Sequence, residues 1–361
     1  MCPLQYKTKQ NSMKIYILSA LLACQTIAAI AQDRDGKTPY MTKSLASDAI
    51  NSVVVNTSAG GIEVSGRAGQ APRVEVYIRG NNGRDLSKEE IKKRLDEDYD
   101  LSVTVTGHEV RAIAKSKHEN QSFNWKKSIS ISFKIFVPQQ VATNLKTSGG
   151  GIRLDNLKGS ETFTTSGGGL EVDKLYGTIK GATSGGGIRV SNSGDNINLQ
   201  TSGGGIEAKN LTGKISLETS GGGLRLENLK GTVNAHTSGG GVEGSNIEGE
   251  LVTSTSGGGI NLKGMNCSLD ASTSAGSLRA QMVKVGKFLK LDVSSGNIDL
   301  QLPANQALSL NIHGDGISPR PSKINGFNGQ WDNEHIKGTV NGGGAPVTAD
   351  ASSGNISVKF N

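Results

Sequence analysis

The strongest constraint on this chain is a repeat. Thr-Ser-Gly-Gly-Gly plus an aliphatic residue begins at Thr147, Thr165, Thr183, Thr201, Thr219, Thr237 and Thr255, and a weaker copy, Thr-Ser-Ala-Gly-Ser-Leu, begins at Thr273. Each start follows the last by 18 residues with no insertion, the signature of a solenoid. With the opening Thr as position 1, position 6 reads Ile152, Leu170, Ile188, Ile206, Leu224, Val242, Ile260 and Leu278. Apolar residues also dominate position 8 (Leu154, Val172, Val190, Ala208, Leu226, Leu262), position 11 (Leu157, Leu175, Leu211, Leu229, Ile247, Met265) and position 15 (Ile179, Ile197, Ile215, Val233, Leu251, Leu269). Position 17 is looser, with Phe163, Leu199 and Leu217. The steps from 6 to 8 and from 15 to 17 are the two-residue period of a strand. Gly triplets and the lack of a 3.6-residue period argue against helices.

The expected fold is therefore all-β: a single-stranded parallel β-helix, or solenoid, with 18-residue coils about 4.8 Å apart. Like side chains then stack on like. A core this narrow suits a chain that is only 4% aromatic and 34% apolar, with 50 Gly in 361 residues. The Gly residues lack the three-residue period of collagen. Gly149, Gly150 and Gly151, with their equivalents from Gly167, Gly185, Gly203, Gly221, Gly239 and Gly257 onward, mark a structural corner, where Gly supplies positive φ or lets adjacent coils approach. Asn at position 10 (Asn156, Asn192, Asn210, Asn228, Asn246) is read either as a hydrogen-bonded ladder at a second corner or as solvated turn Asn. Position 13 is usually Gly, and Cys267 occupies it once. Position 7 lies between two buried positions and points outward. It reads Arg153, Glu171, Arg189, Glu207, Arg225, Glu243, Asn261, Arg279, so stacked neighbours should form cross-coil ion pairs that fix register. That alternation speaks against a ligand groove of one sign, yet it makes the Arg/Glu stripe an outward interaction ladder. Thr and Ser at positions 1, 2 and 18 are a second exposed candidate.

The flanks divide the chain. Residues 1–31 read as a signal peptide whose start is expected at Met13: Lys14 is basic, Ile15 to Ile30 is mostly apolar, and Ala29-Ile30-Ala31 fits a cleavage site. Leu21-Leu22-Ala23-Cys24 is a rival reading, a lipoprotein site leaving a lipidated Cys24. Cleavage at Ala31 removes Lys7, Lys9 and Lys14 and no acid, so net charge drops from +7 to +4, which weakens any nucleic-acid role. Residues 32–44 are polar and read as flexible. Residues 45–146 hold a first coil (Thr57-Ser58-Ala59-Gly60-Gly61-Ile62) and a small α+β insert that caps it. In that insert Ser87 and Glu90 make a capping box, Leu86 and Ile91 a hydrophobic staple, and Ile91 and Leu95 one helix face. Residues 147–302 are the β-helix repeats, with the period stretched near Leu291 to Leu302. Residues 303–361 are irregular coils and a cap, and Asn305 to Lys337 is the most irregular exposed stretch.

No residue pattern points to chemistry. Asp155 and Asp173 stack on adjacent coils, with only Lys158 and Lys174 nearby, and read as surface carboxylates. The residue after each Gly run is aliphatic and not Asp, which excludes the calcium β-roll. No Gly-Lys-Ser/Thr follows the triplets, which excludes a phosphate loop. His108, His118, His236, His313 and His335 lack metal-ligand spacing. No cofactor, metal or catalytic residue is expected.

The chain also resembles a bacterial adhesin-like family with a parallel β-helix, including adhesin-head domains of envelope proteins in the Bacteroides group. The resemblance spans nearly all of residues 45–361 and rests on Ser58-Ala59-Gly60-Gly61-Ile62, the helix–strand insert, Val137-Pro138, the Ser-Gly-Gly-Gly coils, Ser295-Gly296-Asn297-Ile298 with Leu302-Pro303, and Ser353-Gly354-Asn355-Ile356. It implies no catalytic residues. Together these readings give a non-enzymatic, exported envelope scaffold or adhesin-like protein, in the periplasm or at the outer surface of a Gram-negative bacterium. Its partner would be a glycan or another envelope protein, with no nucleic acid, and membrane contact only through a lipid anchor. The alternatives are a polysaccharide lyase or hydrolase, with its site on a coil face or in 305–337, and an accessory or regulatory envelope module.

Overall fold

The computed structural model describes residues 38–46, 49–67, 69, 71–80, 86–117, 128–318 and 326–361. The expected signal peptide, Cys24 and most of the polar segment 32–44 lie outside them. Residues from Tyr40 onward form one compact unit, and it is a parallel β-solenoid with 18-residue coils, joined by one small helix near its N-terminal end.

Coil follows coil in strict register. Ile152–Thr165 pairs in parallel with Leu170–Thr183, and Ile206–Thr219 with Leu224–Thr237 and then Val242–Thr255, each residue beside its equivalent 18 positions away. Positions 6, 8, 11 and 15 are buried as one continuous core. Size is matched between coils as well as within them. Phe163 at position 17 occupies the space above Gly181, where a Cβ would stand 2.3 Å from its ring. Leu262 likewise fills the gap left by Gly244 at position 8.

The coil is bent at three places, each for a different reason. At positions 3 to 5 the backbones of adjacent coils touch. A Cβ on the middle glycine of each triplet, such as Gly168, Gly222 or Gly240, would stand 2.1–2.4 Å from the backbone of the coil before. The triplets in the array need no positive φ, so close approach is what requires Gly there. At position 10 the backbone enters the left-handed region: Asn156, Asn192, Asn210, Asn228 and Asn246 have φ between 50° and 57°. Asn tolerates that region better than other side chains. The same amides form a ladder, Asn210 donating to Asn192, Asn228 to Asn210 and Asn246 to Asn228 at 3.0–3.1 Å. At position 13, Gly177, Gly213, Gly231 and Gly249 have φ of 107–128°.

Position 1 departs from the exposed face expected for it. Its Thr side chains are buried (Thr219 1%, Thr147 2%). Thr219 Oγ1 donates to the Gly204 carbonyl of the preceding coil at 2.7 Å and accepts from Gly222 N–H at 3.3 Å. The same clip recurs at Thr165 and Thr237. The β-branched hydroxyl thus satisfies backbone groups that the corner would leave unpaired.

Both ends are covered by the same device. Ser52–Thr57 and Ile62–Gly66 form a first coil, which pairs in parallel with Ala142–Thr147 and with the start of Ile152–Thr165. The chain between them lays Glu109–Ser116 and Ile129–Val137 along the outer edge of that coil. The helix Lys88–Asp98 belongs to this cap; the Ser87 side chain accepts from Glu90 N–H, and Ile91 and Leu95 are buried. Met41–Ser44 pairs antiparallel with the cap strand Arg73–Gly80, so the end of the segment expected to be flexible is an ordered strand. Its alternation of Met41 and Lys43 with polar neighbours suffices for an edge position. At the other end, Ala345–Phe360 is a regular last coil that pairs with Leu278–Ser295 and Ile298–Leu302. Leu308–Ile317 lies along its outer edge, followed by His335–Val340 and Phe327–Trp331 as an antiparallel pair. Among its described residues, the stretch expected to be irregular is thus largely strand, held by Leu308, Leu310, Ile312 and Ile336 in the core. The period stretches from 18 to 20 where Leu278 pairs with Ile298 and Leu269 with Leu289.

Candidate functional site

Solenoid geometry turns every outward position into a stripe along the stack. At the glycine corner it makes two troughs, one on each side. The larger, about 1420 Å³, is lined by positions 5, 6 and 7 of successive coils, from Gly151, Ile152 and Arg153 to Ser277, Leu278 and Arg279. It continues into Glu63 of the first coil and Tyr77 and Lys134 of the N-terminal cap, and into Asn297 and Asp299 at the other end. The smaller, about 460 Å³, is lined by hydroxyl-bearing residues of positions 18, 1 and 2, including Thr164, Ser166, Ser184 and Ser202.

The larger trough has side-chainless backbone along one flank, at Gly151, Gly169, Gly187, Gly205, Gly223, Gly241 and Gly259. The predicted ladder stands along the other. Arg153, Glu171, Arg189, Glu207, Arg225 and Glu243 all lie in it, and every one is more than half exposed. They do not form one endless chain of contacts. Arg153 pairs with Glu171 at 2.6 Å, Arg189 with Glu207 at 3.3 Å and Arg225 with Glu243 at 2.9 Å, so the stripe is a row of separate dyads, one per two coils. Lys134–Glu63 (3.2 Å) and Arg279–Asp299 (2.9 Å) extend it at the two ends. Register alone could not reveal this grouping, because Glu171 and Glu207 are each stacked between two Arg and the side-chain rotamers decide which they meet. Glu63 is position 7 of the first coil by the same count, but its partner Lys134 was not legible, since its place depends on the path of the N-terminal insert. Cys24 lies outside the described residues.

The groups a hydrolytic mechanism would need are not gathered anywhere on this face. Burial alone would raise the Asp173 carboxyl, but hydrogen bonds from Lys174, Asn192 and Ser191 outweigh it and hold the group below its ordinary value. That is the wrong direction for a general acid. Burial pushes the Glu161 carboxyl up to about 7 against opposing hydrogen bonds from Thr143. Glu161 is 0% exposed, however, at position 15 inside the core. Its Oε2 accepts from the Thr143 hydroxyl, while Oε1 has no partner. Burial likewise pushes the Cys267 thiol up to about 12, which keeps it protonated and poorly nucleophilic. Among the described residues, no group of three or more His, Cys, Asp or Glu side chains is placed to hold a metal ion. Sequence reasoning passed over Glu161. Its signal was present all the same: a lone carboxylate in a column otherwise filled by Ile, Val and Leu.

Comparison with known proteins places these features in context. The family model described as Toastrack DUF4097 matches residues 176–359. Two solved structures are distantly similar. One is a candidate cell adhesion protein from Clostridium sporogenes, 12% identical over 89% of this chain and 98% of that chain, with a TM-score of 0.19. The other is a candidate adhesin from Bacteroides fragilis, 14% identical over 73% of this chain and 97% of that chain, with a TM-score of 0.24. No curated protein matches.

Proposed function

This chain belongs to the Toastrack DUF4097 family, and from that premise we propose that it is a non-catalytic, exported scaffold of the bacterial cell envelope that binds through its larger trough. The observation that carries the reading is the trough itself. It is a continuous concave surface, built from successive coils and left open by the glycines that form its flank. A rigid stack presents such a surface without ordering any loop, which limits the entropic cost of binding. Caps at both ends support the same reading, because they leave the side faces as the free surface of an edge-protected rod.

The carboxylates in the trough are paired with cations on neighbouring strands, Glu63 with the Lys134 ammonium and the others with guanidinium groups. Such pairs recognise and orient; a glycosidase needs two unpaired carboxyls with separated pKa values. In this reading residues 1–31 direct export, residues 45–146 and 303–361 are the end caps, and 147–302 carry the surface.

The test combines location and activity. Cell fractionation with surface protease shaving should find the chain in the envelope, and the purified protein should bind isolated envelope material. Replacing both Arg189 and Glu207 with Gln should weaken that binding. Reproducible cleavage of a polysaccharide, abolished by a single carboxylate substitution, would overturn the proposal in favour of an enzyme. A Cys24→Ser variant that leaves the chain equally membrane-associated would rule out the lipid anchor.

A further inference from the structure

We infer that the trough takes a linear, uncharged, β-linked polysaccharide, with one disaccharide lying against each ion-pair dyad. The inference rests on the reading of the trough as a binding surface and adds the class of its ligand. The first argument is length. The trough runs from the first coil at Glu63 to Asp299, which fits an extended polymer and exceeds what a compact ligand would fill. The second is charge. Each cation along the wall is answered by an anion on the next coil, so the wall carries no net sign. A polyanion laid along it would meet carboxylates as often as guanidinium groups and gain little. A polymer rich in hydroxyls, which both donate and accept, is served by every member: guanidinium offers a planar set of donors and carboxylate a set of acceptors.

The third argument is period. The dyads recur every two coils, roughly 10 Å, which is the advance of one disaccharide in an extended β-linked chain. An extended peptide rises about 3.4 Å per residue and would come into step only every third residue, when its side chains have changed face. The fourth is the break in phase. Asn261 stands where the alternation calls for Arg, and the next dyad, Arg279–Asp299, begins one coil late. Four dyads therefore share one phase, Lys134–Glu63 and the three from Arg153 to Glu243, and set the length recognised at about eight sugars.

Titration calorimetry of the full chain with chito-oligosaccharides and cello-oligosaccharides, dimer to decamer, tests this. Affinity should rise with length and level off at about the octamer. The double variant R189Q/E207Q, whose side chains are exposed and leave the core untouched, should lose roughly tenfold or more. Circular dichroism of the variant checks that it is folded. Binding that ignores chain length, or that survives the variant unchanged, overturns the inference. So does dyad-sensitive binding of a polyanion or an envelope protein with no binding of either neutral series, an outcome that leaves the trough as a docking surface. Failure to bind envelope material at all removes the parent reading as well, which separates the two.

Discussion

Two residues carry most of the local logic. Thr219 links Gly204 of one coil to Gly222 of its own through a buried hydroxyl, so Thr219→Val, nearly the same shape, leaves the Gly204 carbonyl without that partner. The expected cost is about 1–3 kcal/mol, read as a lower urea midpoint with an unchanged slope. Glu161 acts in the opposite sense. Its folded value of about 7 lies above the ordinary 4.5, so the folded chain keeps a proton that the unfolded chain releases. That contribution is whole below pH 4.5 and is lost as pH rises through 7; it amounts to about 3 kcal/mol when fully lost. Glu161→Gln should therefore flatten the fall in stability between pH 5 and pH 8 seen by urea unfolding. An unchanged slope would mean that the carboxyl is already ionised in the folded state. Glu161 stood out in the sequence as the one carboxylate in its apolar column, whereas the role of Thr219 was not readable there. A Thr that opens every repeat looks the same whether it faces water or clips a corner, and only the bend at the glycines turns it inward.

At the scale of the element, the coil is set by backbone contact as much as by its apolar columns. Gly222→Ala places a Cβ 2.3 Å from Gly205 N and should cost about 3 kcal/mol or more, since the clash is with backbone that cannot yield. Gly149→Ala meets nothing nearer than 3.9 Å and should change the melting temperature little. Equal effects at the two sites would refute the close-approach account of the corner. The coils themselves were legible because buried positions repeat at a fixed interval and each side chain has its equivalent as a neighbour. The reason for Asn at position 10 was legible only in part. The amide ladder follows from stacking, whereas the left-handed φ that selects Asn over Gln or Ser depends on a bend that periodicity does not encode. The grouping of position 7 into dyads was likewise out of reach, because it depends on rotamers.

For the whole described unit, the caps decide whether the solenoid ends or propagates. Leu308–Ile317 covers the outer edge of the last coil. Deleting residues 303–361 leaves the edge at Ile298–Leu302 open, and should convert monomer to higher oligomers in sedimentation experiments. The cap strands could be expected from their alternation. Their place in the stack could not, since each insert closes onto a coil that lies far from it in sequence. Trough, ladder and caps all require that residues 18 apart be neighbours along the stack. Cysteine cross-linking tests this most directly. Ser166 and Ser184 are exposed on adjacent coils, with Gly185 N–H donating to Ser166 O, and stand about 4.8 Å apart, within reach of a disulfide. Ser166 and Ser202 are two coils apart, roughly 10 Å, and out of reach. The pair Ser166→Cys with Ser184→Cys should oxidise readily within one chain, and Ser166→Cys with Ser202→Cys should not. Equal cross-linking of the two pairs, or none in the first, would contradict the stacking.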